Sequence, residues 1–171
     1  VKSYAPDWVF IFGVDIIKDP LLEVLPEIRV NLHLGLSPWY RGSATLFWPF
    51  YFLQPQFVGI TFHQIVPEAD AGDIIHQSVP DIKPGDGIHD LSARAVLKAK
   101  EDLIKLISLY KEKGEWELYS QKSSGSLYLS RFFQPEHLRL IYDLYDNDIT
   151  DYYLRSELAK NVPLLVKQPG M

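Results

Sequence analysis

The chain has 171 residues, an apolar share of 47% and a formal net charge of −5. That length can bury one hydrophobic core, and the composition is typical of a soluble globular domain. The absence of cysteine excludes disulfides and thiolate chemistry, and the acidic balance argues against an extended nucleic-acid groove. No apolar run reaches the roughly 18 residues of a membrane span and no signal-peptide pattern opens the chain, so we expect a cytoplasmic protein.

The first part of the chain predicts a β-α-β unit. Residues 8–12 form a continuous apolar run, typical of a strand that is buried on both faces of a parallel sheet. Asp19 and Pro20 favour the start of a short helix, with Asp19 as its cap. Residues 28–33 alternate apolar and polar side chains and predict a second strand, parallel to the first and joined to it by a right-handed crossover.

Two helices are predicted further along the chain. Ser43 is expected to cap an almost wholly apolar helix over residues 44–53, which must be covered by other parts of the protein or by a partner. Asp86 is expected to cap a long helix to about residue 113, because apolar residues recur there at helical spacing, and Gly114 is expected to end it.

The composition changes after Gly114. Residues 122–126 are rich in serine and predict a flexible joint, and the tail that follows is rich in tyrosine and acidic residues. We therefore divide the chain into a core over residues 1–114 and a C-terminal extension over residues 115–171.

Three polar side chains are placed to do chemistry. Asn31 and His33 leave the second strand on one face at its C-terminal end, where an open α/β sheet carries reactive groups. Further strands are predicted at residues 57–63 and 73–79, and Asp70 lies on the loop between them. If neighbouring strands are parallel, these loop ends meet above the sheet. An amide, an imidazole and a carboxylate suit acyl transfer to an amine, which needs oxyanion donors and a base for the amine proton.

Taken singly, these residues also have ordinary structural explanations. An asparagine at a strand end is often a turn former, a lone histidine is often a satisfied core residue, and a loop carboxylate is usually solvated. The joint arrangement favours function. The histidines lack close ligand spacing such as H-x-x-x-H, so no metal site is expected.

Two segments of the sequence resemble the signatures of the folate-dependent formyltransferases. Residues 31–42, N-L-H-L-G-L-S-P-W-Y-R-G, resemble the N-x-H-x-S-L-L-P-x-x-R-G segment of that family. Residues 59–75, G-I-T-F-H-Q-I-V-P-E-A-D-A-G-D-I-I, are similar to its second signature, G-x-x-x-H-x-x-x-x-x-x-D-x-G-x-I. The family includes glycinamide ribonucleotide, methionyl-tRNA and sugar N-formyltransferases.

The resemblance covers about residues 5–110 and implies a fold. The expected fold is α/β, a Rossmann-like formyltransferase fold with a mostly parallel sheet and a short α+β C-terminal tail. Family members carry about 80 residues before the point that corresponds to Val1, so we expect the N-terminal half to be missing here. Such a half-domain would leave an exposed sheet edge, which is expected to recruit a partner such as a second copy of the chain.

The resemblance also implies an activity and a set of site residues. The reaction is transfer of a formyl group from 10-formyltetrahydrofolate, a co-substrate, to a primary amine, without a metal. Asn31 and a protonated His33 would stabilise the oxyanion, and Asp70 would raise the pKa of His33 and help move the proton. The acceptor side is expected to use Ser37, Arg41 and His63. The pterin is expected to lie between two segments, with Gly13, Val14, Asp15, Ile16 and Ile17 on one side and Ile65, Val66, Glu68, Ala69 and Gly72 on the other.

The sequence departs from the family pattern and limits the choice of acceptor. Gly35 stands where the family usually has serine and Ser37 where it usually has leucine, so the loop is expected to be reshaped. Only about 45 residues follow Gly125, whereas a methionyl-tRNA enzyme normally has a sizeable C-terminal β-barrel. A small amine such as a nucleotide-linked aminosugar is therefore expected. The alternatives are a methionyl-tRNA or glycinamide ribonucleotide formyltransferase, a formyltetrahydrofolate hydrolase, and a non-catalytic folate-binding fragment.

Overall fold

The computed structural model describes residues 3–122 and 125–171, so the predicted joint at residues 122–126 lies partly outside the described residues. Single 3-10 or π turns lie at Leu22–Val24, Pro55–Phe57, Ser130–Phe132, Pro135–His137 and Leu140–Leu144. The strands and α-helices of the described residues are β1 (Trp8–Phe12), β2 (Ile28–His33), β3 (Tyr40–Gly42), α1 (Trp48–Tyr51), β4 (Ile60–Gln64), β5 (Ile74–Ser78), α2 (Ile88–Lys113), β6 (Ser126–Tyr128) and α3 (Ile149–Leu154).

The main sheet has the strand order β1-β2-β4-β5. β1 and β2 are parallel, as the sequence predicts. Their connection contains only a one-turn 3-10 helix at Leu22–Val24 in place of the expected helix. Pro20 and Pro26 bracket this segment, and proline restricts both its own backbone and that of the residue before it, so a longer helix does not fit between them.

The strands that carry the remaining site residues are antiparallel. β2 pairs with β4, and β4 with β5, in antiparallel register. The expectation that the strand before Asp70 lies parallel to β2 is therefore wrong. The chain between β2 and β4 contains the single-turn α1 instead of a crossover helix, and β4 and β5 form a hairpin. The described sheet is mixed, with one parallel and two antiparallel pairs.

The helices follow the prediction in part. The predicted helix over residues 44–53 shortens to α1, because Ala44 and Leu53 have positive φ angles, both 56°, and Pro49 cannot donate a backbone hydrogen bond. Its burial is confirmed, since Phe50 is 1% exposed.

The long predicted helix is confirmed as α2, and Gly114 ends it with φ 83°. Its N-cap is Gly87 instead of Asp86. The Asp86 carboxylate is engaged elsewhere, because it accepts bonds from both terminal nitrogens of the Arg94 guanidinium at 2.5 and 2.7 Å.

The hydrophobic core lies between the sheet and the surrounding helices, and the C-terminal extension contributes to it. Phe62 on β4 and Ile141 in the extension are both fully buried members of one cluster. β6 pairs with β3 in a second, parallel, two-stranded sheet. The division of the chain at residue 114 stays a prediction. No helix in residues 3–122 and 125–171 is long and apolar enough to cross a membrane.

Candidate active site

Four polar side chains converge on the face of β2 and β4. The antiparallel register places Asn31 directly opposite His63. The hairpin loop between β4 and β5 turns back over this face, so that Asp70 Oδ1 lies 3.1 Å from Asn31 Nδ2 and Asp70 Oδ2 lies 3.3 Å from His33 Nδ1. The structure thus brings together the three predicted catalytic residues, and His63, predicted for the acceptor side, lies with them, its Nε2 3.1 Å from Asn31 Nδ2.

The hairpin loop holds Asp70 in an unusual backbone conformation. Its φ angle is 49°, in the left-handed region, where such a residue costs roughly 1–3 kcal/mol unless its surroundings compensate. One compensation is the backbone N–H of Gly42, which donates to Asp70 Oδ2 at 2.8 Å. Another is the close approach at Gly72, where a Cβ atom would lie 1.9 Å from the Gln64 carbonyl oxygen. Any side chain at position 72 would clash with Gln64, so only glycine allows this end of the loop to lie so close to the end of β4.

Backbone carbonyls determine which nitrogen of each histidine carries a proton. His33 Nε2 lies 2.8 Å from the Tyr40 carbonyl oxygen, and His63 Nδ1 lies 2.7 Å from the Gln64 carbonyl oxygen. A carbonyl only accepts, so both of these nitrogens donate. The opposite ring nitrogens face the site: His33 Nδ1 faces Asp70, and His63 Nε2 accepts from Asn31.

Asn31 directs both amide hydrogens at its neighbours. One is donated to His63 Nε2 and one to Asp70 Oδ1, each at 3.1 Å. The amide group is therefore held in a single orientation with its nitrogen inside the cluster. One of these two bonds has to be released before Asn31 can donate to an oxyanion.

The environment shifts the pKa values of the central pair downward. Burial lowers the pKa of His33, and the Asp70 carboxylate and the bond to the Tyr40 carbonyl raise it only in part. Burial raises the pKa of the Asp70 carboxyl, but the nearby imidazoles of His63 and His33 and the Gly42 N–H together bring it below its usual value. Burial outweighs the Asp70 carboxylate, so the net shift is opposite to the expected rise in the pKa of His33. The lowered pKa favours the neutral form of the imidazole.

Two clefts meet at this cluster. The first has a volume of about 500 Å³ and reaches His33, and the second has a volume of about 310 Å³ and reaches His63. Asn31 and Asp70 line both clefts. Two molecules bound in the two clefts would therefore approach one another at the same amide and carboxylate.

The second cleft contains most of the residues predicted to hold the pterin. Gly13 lines the first cleft instead, and Gly72 lines neither, because it lies against the end of β4. The eight predicted residues that line the second cleft are Val14, Asp15, Ile16, Ile17, Ile65, Val66, Glu68 and Ala69.

The residues predicted for the acceptor side are dispersed. His63 lines the second cleft, whereas Ser37 and Arg41 line neither. Ser37 is 0% exposed, its N–H donates to Thr61 Oγ1 at 3.0 Å, and its carbonyl accepts from Gln77 at 2.5 Å. Contact between Ser37 and substrate is therefore ruled out by its position in the core.

Several residues of the clefts were missed by the sequence analysis. They come from the residue before α1, from the start of α2 and from the C-terminal extension, and in the extension aromatic content was the only signal in the sequence. Those in the first cleft include Phe47, His89, Ser92, Phe133, Leu138 and Tyr142. Those in the second cleft include Leu127, Tyr128, Leu129 and Ser130. Gly42 also lines both clefts. It belongs to the first signature, but its hydrogen bond to Asp70 could not be predicted from the sequence because it depends on the fold.

Among the described residues, no group of three or more histidine, aspartate or glutamate side chains is arranged to hold a metal ion.

Solved structures of formyltransferases share this fold. The formyltransferase PseJ from Anoxybacillus kamchatkensis, in complex with UDP-4,6-dideoxy-4-formamido-L-AltNAc and tetrahydrofolate, is 23% identical with a TM-score of 0.71, over 85% of this chain and 75% of that one. An N-formyltransferase from Helicobacter canadensis, in complex with folinic acid and dTDP-3-aminofucose, is 23% identical with a TM-score of 0.63, over 78% of this chain and 49% of that one.

A third solved structure comes from another branch. Glycinamide ribonucleotide transformylase 1 from Symbiobacterium toebii is 22% identical with a TM-score of 0.59, over 70% of this chain and 59% of that one. These similarities confirm the α/β formyltransferase fold. The family model described as formyl transferase matches residues 1–107, more than half of the chain. The chain therefore belongs to the formyl transferase family.

Proposed function

We propose that this protein transfers the formyl group of 10-formyltetrahydrofolate to the primary amine of a small acceptor, a nucleotide-linked aminosugar. The observation that carries the proposal is the meeting of two clefts at Asn31 and Asp70, with the imidazole of His33 on one side. This arrangement suits a reaction in which an acyl group is transferred from one bound molecule to another.

The folate is assigned to the second cleft. That cleft is lined by the two segments to which the family resemblance assigns the pterin, including Val14 and Ala69. Related formyltransferases support a folate as donor, since PseJ was crystallised with tetrahydrofolate and the Helicobacter canadensis enzyme with folinic acid. The acceptor amine is then assigned to the first cleft, beside His33.

The proposed reaction begins with attack of the amine nitrogen on the formyl carbon. The carbonyl oxygen becomes an oxyanion, to which Asn31 donates one amide hydrogen, a contribution of about 3–4 kcal/mol for a well-placed donor. The attacking amine gives its proton to His33 Nδ1, the nitrogen that faces Asp70. Asp70 stabilises the imidazolium that forms.

The reaction ends with cleavage of the bond between the formyl carbon and the folate nitrogen. The proton held on His33 passes to that nitrogen, so that tetrahydrofolate leaves neutral at this position and the amine becomes a formamide. His33 returns to its neutral state. Because His33 donates through Nε2 to the Tyr40 carbonyl throughout, only Nδ1 is used to move the proton.

Two observations favour a sugar as the acceptor. The first cleft is walled largely by apolar and aromatic side chains, such as Phe47, Phe133 and Leu138, which suit the apolar face of a sugar ring. The ligands named for PseJ and for the Helicobacter canadensis enzyme are nucleotide-linked aminosugars or their formamides.

The proposed function is tested by measuring formyl transfer with the full chain. The protein is incubated with 10-formyltetrahydrofolate and a panel of nucleotide-linked amino-deoxysugars, and the formamide is measured by mass spectrometry. Asp70→Asn is expected to lower turnover by about 10²–10⁴, the usual contribution of an acid–base group. The matched control is Asp73→Asn, the same chemical change on the same loop at a residue that lines neither cleft, which should retain most of the activity.

Other products would identify the alternatives. Formate released without any acceptor would indicate a hydrolase, and formylation of glycinamide ribonucleotide but of no aminosugar would indicate that branch of the family. Binding of a folate analogue with no turnover at all would indicate a non-catalytic folate-binding protein.

A further inference from the structure

We propose that Gln121 is a positioning residue for Asp70, an inference that rests on the proposed function. Gln121 lies beyond residues 1–107, the part of the chain that matches the family model. It lines neither cleft. Its effect on the reaction would therefore pass through the loop that carries Asp70.

Gln121 bridges the backbone on both sides of the loop tip. Its Nε2 donates to the carbonyl oxygen of Asp70 at 2.8 Å and to that of Gly72 at 2.7 Å. Both partners are carbonyls, so the amide nitrogen must be the atom that faces them. Gln121 Oε1 is buried and has no hydrogen-bond partner among the described residues. The amide thus keeps this orientation although its oxygen is left unsatisfied.

The two bonds act on the residue whose backbone needs support. Asp70 has a φ angle of 49°, and its carboxylate depends on that conformation to reach Asn31 and His33. Fixing the Asp70 and Gly72 carbonyls to one amide group limits rotation of the peptide bonds between them. Without Gln121 the loop is free to relax and to carry the carboxylate away from its partners.

The segment around Gln121 is attached at both ends to elements of the site. Before it, Tyr119 exchanges two backbone hydrogen bonds with Ile74 on β5, at 2.8 and 2.9 Å. After it, β6 pairs with β3, the strand whose Gly42 N–H donates to the Asp70 carboxylate. Gln121 therefore lies two residues after a pairing with β5 and five residues before a pairing with β3.

The test compares Gln121→Met with a matched variant elsewhere. Methionine has nearly the same length but no donor. Gln56 is the control, because its Nε2 also donates to two carbonyls, of Ala159 and Asn161, both at 3.1 Å, and its Oε1 is likewise buried without a partner among the described residues. It lines neither cleft.

Two quantities are measured on the full chain. The first is formyl transfer, for which Gln121→Met should lower kcat about 10- to 100-fold, the effect of a misplacement of about 1 Å, with little change in the KM of the amine. The second is hydrogen exchange of the Gly42 amide, which should become faster when the Asp70 carboxylate leaves it. Gln56→Met should change neither. Gln121→Asn, whose shorter side chain falls short of the carbonyls, should act in the same direction and replaces the methionine variant if that variant does not fold.

Each result either supports or contradicts the role of Gln121 in positioning Asp70. Unchanged kcat and unchanged Gly42 exchange in Gln121→Met would overturn it, and so would equal losses in the Gln56 and Gln121 variants. If the wild-type protein formylates no amine while Gln121→Met still accelerates Gly42 exchange, the proposed function fails and the positioning of Asp70 by Gln121 stands. If the wild type is active and the Gln121 variants are indistinguishable from it, only the inference fails.

Discussion

The ring of His33 donates a hydrogen bond to the carbonyl oxygen of Tyr40 at 2.8 Å, and Gly35 leaves the space for it. A Cβ atom at Gly35 would lie 2.6 Å from both His33 Nε2 and the Tyr40 oxygen. Gly35, which stands where the family usually has serine, therefore packs directly against this hydrogen bond. The bond in turn keeps His33 Nδ1 directed at Asp70.

Gly35→Ala should push His33 away from the Tyr40 carbonyl and lower kcat about 100-fold, because catalytic groups tolerate little displacement. Steady-state formyl transfer and the ¹⁵N shifts of the His33 ring nitrogens measure this change. Gly59→Ala is the control, since its Cβ would lie 2.6 Å from Leu36 Cδ2 and 2.7 Å from the Ser78 carbonyl, a similar clash away from His33. Equal kcat losses in the two variants would show a general packing defect.

Filling one cleft should affect one substrate only. Ser92→Trp, in the first cleft, is expected to raise the KM of the amine about tenfold or more, equivalent to ~1.4 kcal/mol of lost binding, with folate binding unchanged. Ile16→Trp, in the second cleft, is expected to weaken binding of a folate analogue and to leave the KM of the amine unchanged. Titration calorimetry with the analogue, together with steady-state kinetics, checks both. The reverse pattern would exchange the assignments of donor and acceptor.

The activity should fall in acid with the protonation of His33. The proposed base is the neutral imidazole, and burial lowers the pKa of His33 below the ordinary 6.5. The acid limb of the profile of kcat/KM against pH is therefore expected below pH 6.5, and activity should be independent of His33 titration above it. An acid limb above that value would mean that the carboxylate of Asp70 outweighs burial.

The stability of the fold should also decrease in acid, through His76. Burial lowers the pKa of this histidine from 6.5 to about 4, with Lys167 and Lys98 adding to the effect and Asp102 opposing it. The unfolded chain then binds more protons than the folded one, so stability is lost as the pH falls from 6.5 towards about 4, at up to about 1.4 kcal/mol per pH unit.

His76→Gln should flatten this dependence in urea titrations at several pH values, although His33 contributes in the same direction. His89→Gln, at an exposed position on α2, should keep the wild-type slope. A wild-type slope in His76→Gln would mean that another buried group carries the effect.

Local patterns in the sequence were sufficient for several elements and for the choice of chemical groups. The apolar run of β1 and the helical spacing of α2 depend on neighbouring residues, so both were predicted nearly to their ends. Asn31 and His33 leave one face of β2 because side chains alternate along any strand. The amide, imidazole and carboxylate could be named because each belongs to one continuous signature. The two segments that wall the second cleft could be named from the resemblance to the family.

The tertiary structure alone decided how these groups meet. Asp70 reaches Asn31 and His33 through an antiparallel hairpin and a left-handed backbone angle, and it is hydrogen-bonded there to Gly42 and Gln121, which are distant in the chain. The protonation state of His33 is decided by burial, which depends on what the whole fold packs around the ring. Sequence patterns report the conformational preferences of short segments. Strand direction, burial and long-range hydrogen bonds arise only when those segments pack against one another in the folded chain.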